Sequence, residues 1–160
     1  MMATANDLMT LATFAGSGFF LLVGHNLADH VTGQCDWQAA KKGAPTPEEV
    51  AAGASPRRGW RANLAHVGQY HLTLLALGFL VWLVLPLNWS PAGVIAALVW
   101  SAGTHALLDR RWPVRWVLEH TGSPDFAQLN VGGLNGMYAA DQALHWFALG
   151  IAAVLLAVVQ

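Results

Sequence analysis

The chain has 160 residues, enough for one domain, and is 55% hydrophobic but only 11% charged, against roughly 25% charged residues in soluble domains. A water-soluble fold of this size needs more charge to cover its surface. An integral membrane protein needs less and favours Trp, present eight times, at its interfaces. The formal net charge of −1 gives no basic surplus for nucleic acid, and the lone Cys35 excludes both an intrachain disulfide and a zinc-binding Cys pair.

Residues 1–7 carry no Lys or Arg, so the first apolar stretch reads as a retained span rather than a cleaved signal peptide. Four stretches approach the roughly 20 helical residues that a hydrocarbon core of about 30 Å requires. They fall at about 8–28, 62–85, 91–109 and 137–159. Backbone groups in lipid must be satisfied within their own segment, so each is expected to be a helix. Pro86 stops the second span, and Ser90-Pro91 caps and opens the third. The short link around Leu87, Asn88 and Trp89 makes these two spans antiparallel neighbours. The predicted fold is therefore all-α, a single-domain up-down four-helix bundle.

The longer loops, about 30–61 and 110–136, differ in kind. The first holds Thr46-Pro47-Glu48-Glu49, a capping box that predicts a short helix ending near Gly53, while Gln34, Asp36 and Trp37 read as a polar turn. The second holds RRWPVRW, a mixture suited to the headgroup level. All eight basic residues fall in these loops. The positive-inside rule places both loops in the cytoplasm of a bacterial inner membrane, with both termini on the other side. Membrane lipids are then the expected partners, and so thin a bundle leaves room for a homo-oligomer.

The polar residues of the spans are not scattered. Span one ends with His25 and Asp29, span two begins with His66 and His71, span three ends with His105 and Asp109, and span four begins with Asp141, Gln142 and His145. Tyr70 and Gln69 lie beside the second pair. In an up-down bundle all of these share one layer on the cytoplasmic side. Three spans pair His with Asp at i and i+4, which puts both side chains on one helical face. Ionisable groups at membrane depth cost several kcal/mol and belong in the bundle interior or a wet cavity. His25 and His105 are 80 residues apart, as are Asp29 and Asp109, and His66 and His145 are 79 apart. That spacing hints at two repeated helical hairpins. Gly16, Gly18 and Gly78 read as helix-packing positions, and His30 and His120 as solvated loop residues.

The segments GHNLADHVTGQCDWQAAKK, HVGQYHLT, GTHALLDRRWPVRW and DQALHWFAL, in this order, resemble a family of small integral membrane proteins of bacteria and their phages. The resemblance covers most of the chain. It implies a four-helix membrane fold with a polar centre, and no activity.

The chemistry must come from the residues. Neutral imidazoles and carboxylates suit Zn, Mn, Fe or Ni, so His25, Asp29, His66, His71, His105, Asp109, Asp141 and His145 are candidate ligands of a divalent metal, with two ions conceivable. Arg58, Arg61, Arg110 and Arg111 are candidates for binding a lipid or phosphate. A metal-dependent hydrolase of a lipid-linked or phosphate-containing substrate is the first expectation. The alternatives are a scaffold or partner-binding protein whose polar layer is structural, a haem-binding bundle and an ion-conducting one. Asp141 has a bland explanation as a cap at a helix N-terminus. Asp29 and Asp109 sit at helix C-termini, where the dipole disfavours a carboxylate and a nearby cation is needed.

Overall fold

The computed structural model describes residues 2–160, so Met1, the first residue of the uncharged N-terminal stretch, lies outside the described residues. Helix α1 (Ala5–Leu27) opens on a Thr4/Asp7 capping box and runs on through a π-helical turn, Ala28–Thr32. Two short helices follow, α2 (Asp36–Lys41) and α3 (Pro47–Ala51), and then α4 (Trp60–Val84). Helix α5 (Pro91–Leu108) starts at Ser90, whose hydroxyl accepts from the Gly93 N–H at 2.8 Å. Helix α6 (Trp112–His120), a 3₁₀ turn (Pro124–Gln128) and a two-stranded antiparallel ribbon lead to the last helix. The ribbon pairs β1 (Asn130–Val131) with β2 (Leu134–Asn135), and α7 (Gly136–Val158) is capped by the Asn135 side chain.

Four of these helices, 5–32, 60–84, 91–108 and 136–158, are long and apolar enough to cross a membrane. They form a closed ring in which α7 packs most extensively on α5 and α1, and α4 fills the remaining side. Side chains such as Phe19, Leu72, Phe79, Val99 and Phe147 point outward on all four helices. A lipid surface accepts such a face; water does not. Lipid tails are as apolar as Leu, so close packing and hydrogen bonds must hold the helices together. Small residues supply the first. Ala97, Ala152, Ala153 and Ala157 are buried, and a Cβ on Gly93 would lie 2.8 Å from the Val159 carbonyl oxygen. Gly18 and Gly78 face Ala153 and Phe20 in the same way, and Gly16 faces Leu87.

Polar ties supply the second, and some of them stand in the half of the bundle away from the His/Asp layer. Ser17 accepts from the Trp89 indole at 2.7 Å, and Thr13 accepts from the Asn88 N–H at 3.2 Å, both hydroxyls being fully buried. They lock the α4–α5 link onto α1.

One loop expectation also changes, and another gains detail. The segment read as a polar turn at Gln34, Asp36 and Trp37 starts helix α2, because the Gln38 side-chain oxygen Oε1 reaches back to accept from the Cys35 N–H at 2.8 Å and caps it. RRWPVRW is largely helical too. Val114 and Leu118 of α6 are buried while Trp112 and Trp116 are exposed, the division expected of a helix lying along an interface.

Candidate metal centre

The site begins with the way α1 ends. The π turn closes on Gly33, whose N–H donates to the Ala28 carbonyl at 2.7 Å. A Cβ on Gly33 would sit 2.2 Å from that oxygen and 3.2 Å from Tyr70 Cα, so only glycine lets the chain reverse this tightly against α4. The Gly33 carbonyl then accepts from His66 Nδ1 at 2.8 Å. That bond fixes the ring and leaves the Nε2 lone pair facing inward.

Three more Lewis bases meet it. His66 Nε2 lies 2.9 Å from Asp29 Oδ1, 3.1 Å from His105 Nε2 and 3.3 Å from Asp109 Oδ2. His105 Nε2 lies 3.3 Å from Asp109 Oδ2 and 3.8 Å from Asp29 Oδ1. All four side chains are buried. A tetrahedral ion bonded at about 2.0–2.2 Å has ligand–ligand edges of about 3.3–3.6 Å, and the five separations bracket that range. Asp29, His66, His105 and Asp109 therefore form one group able to hold a metal ion. Asp109, Asp141 and His145 form a second, which shares Asp109 with the first.

Lys42, at the end of α2, adds a cation that sequence reasoning had assigned only to a basic loop. Its ammonium lies 2.9 Å from Asp109 Oδ1, 3.1 Å from His66 Nε2 and 3.5 Å from Asp29 Oδ1. With neutral imidazoles, Asp29, Asp109 and Asp141 against one ammonium leave two negative charges around the two groups. A divalent ion matches that excess.

Of the eight predicted ligands, six stand in the two groups. The other two are engaged elsewhere. His25 is completely buried, with Nε2 3.1 Å from Gln142 Oε1 and Nδ1 3.0 Å from the Tyr70 hydroxyl. Gln142 in turn donates to Asp29 Oδ2 and to Asp141 Oδ2, each at 3.3 Å. The chain Tyr70–His25–Gln142 therefore orients two carboxylates from behind. His71 sits a turn deeper, bonded to the Val67 carbonyl at 2.8 Å and the Ser101 hydroxyl at 3.0 Å. There it lines an apolar cleft of about 480 Å³ between α4 and α5.

The predicted arginines divide as well. Arg110 does not offer its guanidinium to a lipid. It is buried, stacks 4.7 Å over Trp60, and donates to the carbonyls of Lys42 (2.9 Å), Gly43 (3.2 Å) and Arg58 (2.6 Å). Its fork is used up in clasping the loop that delivers Lys42. Arg58 pairs with Glu49 on the surface, and that hydrogen bond, followed by one from the Thr46 N–H, holds the Glu49 carboxyl below the usual range. Arg61 is exposed, 6.0 Å from the Trp37 ring. Arg111 does face the layer. Together with Arg115, which the sequence did not single out, it lines a polar cavity of about 430 Å³ whose walls include Asp29, Asp109, Asp141 and Tyr138. His30 is no free loop residue: its Nε2 lies 2.7 Å from the Tyr138 hydroxyl at the same cavity.

No family model, curated protein or solved structure matches the chain.

Proposed function

We propose that the protein is a multi-pass enzyme of the bacterial inner membrane that hydrolyses a phosphate-containing, lipid-linked substrate at a divalent-metal site on its cytoplasmic side. One observation carries the reading. Four buried ligand atoms converge at tetrahedral spacing beside a polar cavity that also holds two arginines. The metal supplies two things when bound: a water whose pKa is lowered towards about 7, and a positive charge for the phosphoryl oxygens. The protein supplies the rest. Arg111 and Arg115 bind the anion and orient it, as guanidinium forks do for phosphate. Water adds to phosphorus and the ester P–O bond breaks. Asp141, the most exposed of the three carboxylates, takes the attacking water's proton and returns it to the departing ester oxygen. The lipid portion stays in the bilayer, which the outward apolar faces contact. The resemblance to bacterial and phage membrane proteins fits the same location.

The test is elemental analysis of protein purified in mild detergent, beside His66→Ala and Asp109→Asn, followed by p-nitrophenol release from bis(p-nitrophenyl) phosphate and phosphate release from phosphatidate in mixed micelles. Near-stoichiometric Zn, Mn, Fe or Ni, lost in both variants together with turnover, is the expected result. A second reading, a structural layer in a non-enzymatic scaffold, is favoured by the Lys42 ammonium, which already neutralises part of the acidic charge. Well-folded, metal-free protein from cells supplied with these ions would decide for it.

A further inference from the structure

The two ligand groups are chemically unequal. Asp29, His66, His105 and Asp109 offer four protein atoms, the complement of a closed tetrahedral site, whereas Asp109, Asp141 and His145 offer three and leave a position open. We infer that Asp109, Asp141 and His145 hold a second divalent cation, Asp141 through one carboxylate oxygen with the other left to move the water's proton, and that this cavity-side ion, not the enclosed one, is where water and a phosphoryl oxygen bind. The inference rests on the metal-centre reading proposed above and deepens it.

Three independent observations point to a ligand here. His145 is buried and its Nδ1 donates to the Asp141 carbonyl at 2.9 Å, so the lone pair is on Nε2, and Nε2 has no hydrogen-bond partner. Asp109 Oδ2 is likewise buried without a hydrogen bond. Orphaned acceptors cost about 1–3 kcal/mol each, and a cation held with Asp141 would satisfy both residues, Asp109 Oδ2 being the oxygen that also faces His66 and His105. Asp141, 20% exposed at its side chain, lines the cavity with Arg111 and Arg115, so an ion held by it is reachable from solvent. The enclosed group meets the cavity only through its two buried carboxylates, Asp29 and Asp109, its His66 and His105 being almost fully covered.

The shared Asp109 would place the two ions within one carboxylate of each other, the arrangement in which one ion polarises the phosphoryl group and its neighbour helps neutralise the charge that develops. Gln142 joins the groups from behind, one amide nitrogen donating to both Asp29 and Asp141.

The test uses the full chain in detergent, titrated with Mn²⁺ and read by bound-metal analysis and electron paramagnetic resonance. Two Mn²⁺ per chain with an exchange-coupled spectrum are expected. Asp141→Asn, nearly isosteric, and His145→Ala are each expected to fall to one ion with an uncoupled spectrum, folding being checked by circular dichroism. One ion per wild-type chain, or two retained in folded Asp141→Asn and His145→Ala, would overturn the second site and leave the first standing. No ion in the wild type would overturn both. His66→Ala separates them from the other side, since it removes a ligand of the enclosed group alone.

Discussion

At the scale of single residues, Lys42 decides how the layer behaves without a metal. Its ammonium sits against Asp109, Asp29 and His66, all within 3.5 Å, so it competes with any cation that enters. A unit charge about 4 Å away is worth several kcal/mol at the effective dielectric of a protein interior. Lys42→Met is therefore expected to tighten Mn²⁺ binding at least about tenfold in a calorimetric titration; an unchanged or weakened affinity would show that the ammonium does not oppose the ion. Arg111 gives a second test. Its φ of 67° lies in the left-handed region that an L side chain adopts at a cost of about 1–2 kcal/mol. Arg111→Gly is expected to leave thermal stability unchanged or raise it by about 1 kcal/mol while weakening phosphate inhibition of the proposed hydrolysis. A variant that loses stability without losing anion affinity would make the arginine structural. The sequence disclosed six of the seven residues that build the inner layer with Lys42, because His and Asp in an apolar helix are conspicuous. It could not disclose Lys42, which looks like any loop lysine until α2 swings it inward. Nor could it separate Arg110 from Arg111, adjacent residues with opposite exposures.

At the scale of elements, the π turn is the feature that periodicity could not anticipate. A hydropathy pattern locates span one but does not register one widened turn at its end. That turn sets both Asp29 and the Gly33 carbonyl against His66. Gly33→Ala puts a Cβ onto backbone atoms, which cannot move aside as a side chain can. We expect a loss of about 1–3 kcal/mol of stability, seen as a lower melting temperature, together with faster loss of metal to a chelator. A variant that melts normally and holds its metal would show that the turn tolerates a methyl group and does not position His66. The four spans themselves were legible to within a few residues, since length, Pro86 and the Ser90-Pro91 cap are local signals. Helices α2 and α6 were not. Each is short, and each is stabilised by contacts that bring distant parts of the chain together: Gln38 with Gln69, and the buried Val114 and Leu118 of α6, which packs on α7.

At the scale of the whole molecule, the bundle is polarised along its axis. The His/Asp layer, the clasp of Arg110 and every basic residue lie at one end, whereas the other end is closed by Thr13, Ser17, Trp89 and Ser90. Such an arrangement follows from four antiparallel helices whose polar residues alternate between C-terminal and N-terminal ends, and it gives the chain a direction that can be measured without mutagenesis. Cys35, the single cysteine, is exposed at the start of α2, on the side of the metal centre. A membrane-impermeant maleimide is expected to label it in inverted membrane vesicles and not in intact spheroplasts, where the positive-inside rule keeps it from the reagent. Labelling in spheroplasts alone would reverse the orientation, carry the His/Asp layer to the outer face and replace the proposed cytoplasmic substrate with an envelope one. Arg110→Lys adds the link between this loop and the site. Losing the bidentate fork and its stacking on Trp60 is expected to cost about 2–4 kcal/mol and to free the Lys42 segment. Faster maleimide labelling of Cys35 in that variant would show that the clasp holds the whole loop, and with it the Lys42 ammonium, against the layer. An unchanged rate would confine the role of Arg110 to its own turn.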